Sequence, residues 1–169
     1  MKRLLRIAIF QSLWFVFILK SEYGFILPLI ALVLIFIDYK IFYKELEFKR
    51  FFRFTVYITV CGIMVDSILM NMQLISFENW TKTYSHPFMW AIWIIFVPYY
   101  QIGLIKLSKN KPLAIFMSLI FAPISYYSGS RLGILEITNM WSFMGIGIIW
   151  ALFIPSSFLF YEKAVQGKP

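Results

Sequence analysis

Long apolar stretches, broken at intervals by short polar ones, run the whole length of the chain. Charges and turn residues gather at 20–22, 40–53, 76–86, 106–111 and 128–139, and the segments between them are continuously apolar rather than alternating. Continuous runs of this length read as helices in an apolar surrounding, whereas the strands of a membrane barrel would alternate apolar and polar faces. Six helices are expected, near 4–20, 24–43, 53–75, 87–106, 112–128 and 139–161. Crossing a hydrocarbon layer roughly 30 Å thick takes about 20 predominantly apolar residues, so each run is read as one crossing. The expected fold is all-α, a polytopic bundle of six transmembrane helices forming one domain over 1–169.

Composition strengthens that reading. The 169 residues are 61% hydrophobic and 14% charged, against about 45–50% and about 25% in a soluble domain. The first helix is the weakest of the six, since only 7–19 is free of charge and Arg6 must reach back toward the headgroups. The basic start MKRLLR and the short apolar core behind it also have the outline of a signal peptide. The following ILKSEYGF lacks the small residues of a cleavage site, so a retained anchor is expected.

Charge then orients the bundle. Basic residues in short loops stay cytoplasmic, and thirteen of the 16 Lys and Arg fall in alternate segments beginning at the N-terminus. They are Lys2, Arg3, Arg6, Lys40, Lys44, Lys49, Arg50, Arg53, Lys106, Lys109, Lys111, Lys163 and Lys168; the other side holds Lys20, Lys82 and Arg131. Both termini are therefore expected in the cytoplasm. The net charge of +8 is dispersed among juxtamembrane loops, which suits anionic lipid headgroups and points away from a nucleic-acid partner.

Against this background two charges stand out. Asp66 lies thirteen residues into the third helix, about 20 Å along it, and shares a sector with Thr55, Thr59, Gly62 and Gln73. A polar stripe with a glycine belongs in a bundle interior, where Gly62 admits a neighbouring helix closely. A carboxylate at that depth needs a partner, and Arg131, just beyond the outward end of the fifth helix, is the candidate cation; Glu136 is a second possible partner for it. Pro123 is expected to break the fifth helix, leaving 125–133, with its GSRLG spacing, as a turn or short re-entrant piece. The Arg131 reading has an alternative, in which the guanidinium is solvated or touches lipid phosphate. Asp38, beside Lys40, is expected to be an interfacial ion pair.

Aromatic residues add further candidates. Trp90 and Trp93 follow Pro87 and read either as interfacial belt residues or as a wall on which a ligand stacks. The candidate binding set is Asp66, Arg131, Trp90, Trp93, Tyr126 and Glu136, with catalytic residues unassigned. One cysteine, Cys61, and one histidine, His86, exclude multi-histidine and multi-cysteine metal centres, so neither metal nor cofactor is expected. A phosphate loop, a GxSxG elbow and an aspartate-rich diphosphate motif are likewise missing from the sequence. His86 precedes Pro87 and reads as a helix-start residue, with pairing to Ser128 or Ser130 as the catalytic alternative. Gly147, Ala151 and Pro155 recur at four-residue intervals, a close-packing face.

The ordered motifs FQSLW (10–14), GIMVDSIL (62–69), Pro87, Trp90, Trp93 and Phe96 at three-residue steps, and PISYYSGSRLG (123–133) resemble the bacterial integral-membrane family catalogued as domain of unknown function 2878. The likeness covers nearly the whole chain, departing at Ala122, where a glycine is expected, and at Val97 and Pro98, where small residues are. It implies a six-helix protein of the bacterial inner membrane without assigned activity. The genes of that family often lie near those for cyclopropane-type fatty-acid modification, which implies a link to lipid metabolism. No catalytic residues transfer from it. Two functions are carried forward: a protein holding or processing a lipid or amphiphile in an outward-facing pocket around Asp66 and Arg131, and a non-catalytic accessory subunit whose small-residue faces dock on a protein partner.

Overall fold

The computed structural model describes residues 2–43 and 47–164. Lys44 and Lys168, and the side chains of Lys2 and Arg3, which enter the basic count, lie outside that description. Among the described residues the chain is all-α, with six long helices: α1 (Lys2–Leu19), α2 (Leu27–Phe42), α3 (Phe48–Asn71), α4 (Pro87–Ile102), α5 (Lys111–Arg131) and α6 (Met140–Ala164). Three of them, α3, α5 and α6, are long and apolar enough to cross a membrane; the apolar part of α1, Leu4–Leu19, is shorter. The chain thus has the make-up of a membrane protein.

Local chemistry sets the helix ends. Proline sits in the first turn of α2, α4 and α5, where its missing amide would have no helical partner anyway. His86 caps α4, its Nδ1 accepting from the Phe88 amide at 3.4 Å, and Asn110 caps α5, accepting from the Leu113 amide at 3.1 Å. Helix α3 stops short of the expected 75 because Gln73 takes a left-handed backbone, φ 56°. Beyond it, β1 (Ile75–Ser76) pairs antiparallel with β2 (Glu136–Ile137). That ribbon joins the loop after α3 to the loop after α5. Two-residue strands carry no alternation by which a sequence reading could find them.

These pairings define two ends of the bundle. The turn at 20–26 and the loops 72–86 and 132–139 gather at the strand end, while the 103–110 turn and the described basic residues of the majority set gather at the other, the basic end. Helix α4 is central, packed on α1, α2 and α3, and α6 packs on α5 and α3. Along α2, Leu27, Ala31, Ile35 and Tyr39 are buried at four-residue steps, whereas Leu29 and Val33 are 63% and 61% exposed. The same division recurs on α5 and α6, where Phe116, Phe121, Met144 and Leu152 face outward. Apolar surface of this extent is disfavoured in water and at ease in hydrocarbon.

Three expectations are corrected here. Helix α5 does not break at Pro123 but continues to Arg131. The amide missing from Pro123 would have answered the Leu119 carbonyl, four residues back. That carbonyl lies against Gly147 of α6 instead, where an added β-carbon would come within 2.9 Å of it, so the neighbouring helix covers the freed oxygen. Asp38 pairs with Arg6 rather than Lys40: Arg6 Nη2 donates to the Asp38 carboxylate and to the Tyr43 hydroxyl, each at 2.7 Å. Arg6 therefore turns inward, with its guanidinium over the Phe42 and Tyr43 rings. Gln73, expected on the α3 stripe, lies past the helix end and is exposed.

Candidate functional site: a buried carboxylate behind an aromatic cleft

Asp66 is fully buried. It lies on the face of α3 that also carries Thr55 and Gly62, and that face meets α4. One turn before it, Gly62 leaves room for the Trp93 ring: a β-carbon at 62 would fall 1.9 Å from the indole. With the ring held there, Trp93 Nε1 donates to one carboxylate oxygen of Asp66 at 2.6 Å. The Tyr126 hydroxyl, from α5, donates to the other oxygen. Trp150 of α6 completes the group, its Nε1 reaching the Tyr126 oxygen at 3.4 Å and its ring stacking on Trp93 with centroids 5.2 Å apart. Four helices thus meet at one acid, with one donor for each of its oxygens.

The aromatic members of this group form part of the wall of a cleft of about 600 Å³ bounded by α1, α4 and α5. Phe10, Trp14 and Phe15 line it from α1, Met89, Trp93 and Phe96 from α4, and Ser118, Ala122 and Tyr126 from α5. Helices α1 and α5 face each other across the space without packing extensively. Exposed Gln11 and Phe15 on α1, and Phe121, Ile124 and Ser125 on α5, rim its mouth, so the cleft opens on the flank of the bundle. Asp66 does not line it. The carboxylate stands behind Tyr126 and Trp93.

Of the candidate residues, the structure brings together Asp66, Trp93 and Tyr126 and leaves the others apart. Arg131 is exposed in the last turn of α5 and forms no ion pair with Asp66 or Glu136 among the described residues. The reason is geometric: with α5 unbroken, residue 131 is about 7.5 Å further along the axis than Tyr126 and roughly 140° around it. When Tyr126 faces α3, Arg131 faces elsewhere. Glu136 is exposed on β2, opposite Ser76. Trp90 serves the start of α4, its Nε1 donating to the Ser85 carbonyl at 3.0 Å and lying 3.2 Å from the Ser85 hydroxyl.

His86 packs against the rings of Trp80, Phe77 and Phe88 and has no serine partner among the described residues. Burial pushes its pKa below the usual histidine value of 6.5, which keeps the capping nitrogen unprotonated. Trp150 was absent from the candidate set. A signal for it existed, since a tryptophan at the eleventh of 25 helical residues sits away from the interfacial belt where tryptophan is ordinarily found.

Among the described residues no group of three or more His, Cys, Asp or Glu is placed to hold a metal ion. What the arrangement offers is an apolar, laterally open space with one hydrogen-bonded polar patch in its wall. No curated protein and no solved structure matches the chain. A family model matches it over residues 3–156, and the chain belongs to that family, described as protein of unknown function (DUF2878).

Proposed function

We propose that this chain is a multi-pass protein of the bacterial inner membrane, crossing six times with both termini cytoplasmic, and that it holds a lipid or amphiphile in the cleft between α1, α4 and α5. The supporting observation is the cleft itself: about 600 Å³, lined by aromatic and aliphatic side chains, and rimmed by exposed apolar residues where the surroundings are lipid. That volume falls within the roughly 300–1,000 Å³ of small-molecule sites. A partner helix of 20 residues, about 30 Å long and 10 Å across, needs more than three times as much room. The binding patch differs from the one expected from sequence, because Tyr126, Trp93 and Trp150 face the space while Arg131 does not.

Docking on a protein partner through small-residue faces has less support. Gly62 is covered by Trp93, Gly129 by Leu135, and Gly147 by Leu119 and Pro123, so of the expected close-packing glycines Gly133 alone has open space beside it. The reading is tested by native mass spectrometry of gently extracted protein. Co-purified lipid is expected on the wild type and is expected to be lost when Ala122→Trp fills the cleft. A wild type free of lipid, or retention indifferent to the filling substitution, contradicts it.

A further inference from the structure

Resting on the reading of the cleft as an amphiphile site, the chemistry of its wall narrows what that amphiphile is. No Lys, Arg, His, Asp or Glu is among the residues lining it. The hydrogen-bond donors along its inner wall are already engaged. Ser118, Ser125 and Ser128 each donate to the backbone carbonyl four residues back, at 2.8, 2.9 and 2.9 Å. Tyr126 and Trp93 donate to Asp66, and Trp150 is directed at the Tyr126 oxygen. What these hydroxyls still present to the cleft is lone pairs.

The remaining polar side chains are peripheral to that wall. Gln11 is exposed at the mouth, Trp14 lines the α1 side with its indole N–H unengaged among the described residues, and Tyr99 is stacked on Phe10 at 4.6 Å. None of the three supplies a positive charge. Ser118, Ala122, Ser125 and Gly129 follow the four-three-four spacing of one helix face, on which the two serines set hydroxyl acceptors among apolar residues. An anionic head drawn into such a space would leave water without a counter-charge and would meet oxygen lone pairs, which disfavours it. A neutral hydroxyl donates to those lone pairs with no such penalty.

From this accounting we infer that the cleft takes an uncharged amphiphile whose head group is a hydrogen-bond donor, of the long-chain alcohol or acylglycerol class. Its hydroxyl is delivered to the oxygens of Tyr126 and the α5 serines, and its hydrocarbon lies among Phe10, Trp14, Met89 and Phe96. Asp66 has a positioning role: by accepting the hydrogen bond of the Tyr126 hydroxyl it leaves the tyrosine oxygen as an acceptor toward the cleft.

The test compares three probes of equal chain length, hexadecanol, palmitate and hexadecyl phosphate, each added to the purified full chain and read by native mass spectrometry. Hexadecanol is expected to be retained at least about tenfold better than either anion. Ser125→Leu, which replaces an exposed hydroxyl at the mouth by an apolar group, is expected to lower hexadecanol retention severalfold and leave the folded fraction unchanged. Equal or better retention of either anion, or hexadecanol retention unaffected by Ser125→Leu, overturns the head-group assignment while the cleft reading survives. Retention of no probe, or retention of hexadecanol unaffected by both Ala122→Trp and Met117→Trp, overturns the cleft reading and this inference with it.

Discussion

The indole of Trp93 lies so close over Gly62 that a β-carbon at position 62 would come within 1.9 Å of its ring. No side-chain adjustment within α3 relieves such an overlap. Gly62→Ala is therefore expected to displace the tryptophan, break its hydrogen bond to Asp66 and destabilise the protein by about 1–3 kcal/mol. Thermal unfolding in a mild detergent, followed by tryptophan fluorescence, checks both effects: a lower midpoint and an altered emission from the folded state.

The acid is coupled to Tyr126 and not to Arg131. Tyr126→Phe leaves one buried carboxylate oxygen without its donor and is expected to cost about 1–3 kcal/mol. Combined with Asp66→Ala, the loss should be smaller than the sum of the two, as for residues in direct contact. Arg131→Ala should change stability by no more than about 0.5 kcal/mol, and its effect should add to that of Asp66→Ala within about 0.5 kcal/mol. Double-mutant cycles on these two pairs separate the alternatives: coupling between 66 and 131 would contradict the geometry.

How this site could be read from sequence, and where the reading stopped, follows from one helix. Asp66 and Gly62 were legible because α3 is regular, and a spacing of four residues puts an acid and a glycine on one face. The boundaries of most helices were legible for the same reason, since charges and prolines mark them. Arg131 lies elsewhere than the sequence suggests because Pro123 does not break α5. The break would have let the following segment turn back toward α3, whereas the continuous helix carries Arg131 past it.

What keeps α5 intact is Gly147, on another helix and twenty-four residues away. A local pattern holds no record of that contact. Trp93 shows the same limit, for an interfacial belt and a buried hydrogen-bond donor look alike in sequence until the partner acid is placed beside one of them.

Gly147 supplies a separate prediction. Its virtual β-carbon meets the Leu119 carbonyl at 2.9 Å and the Leu119 α-carbon at 3.4 Å, and both are backbone atoms. Gly147→Ala should push α6 away from α5 and uncover the carbonyl freed by Pro123, at a cost of about 1–3 kcal/mol. Limited proteolysis of the 132–139 loop, together with the unfolding midpoint, reports the loosening.

Acid should weaken the strand end through His86. Its pKa is lower in the fold than the 6.5 of the free side chain, because burial disfavours the charged form. The unfolded chain therefore takes up the proton first, so this contribution is fully present above about pH 6.5 and declines as pH falls below that value. Protonation also turns the nitrogen that accepts from the Phe88 amide into a donor. A His86→Asn variant keeps a capping side chain and removes the titration. The midpoint of the wild type should fall between pH 7 and about pH 5 by more than that of the variant, and equal pH slopes would contradict the assignment.

The claim on which the functional account turns is that a lipid chain enters the cleft between α1 and α5. Photo-cross-linking measures this directly, in vesicles doped with a long-chain alcohol that carries a diazirine in its hydrocarbon, with adducts located by peptide mapping. Met89 is only 9% exposed, yet it lines the cleft together with Phe96, so the account predicts adducts on these two residues that disappear in Ala122→Trp. Adducts confined to outward-facing residues such as Leu29 and Phe36 of α2, with none on Met89 or Phe96, would contradict it.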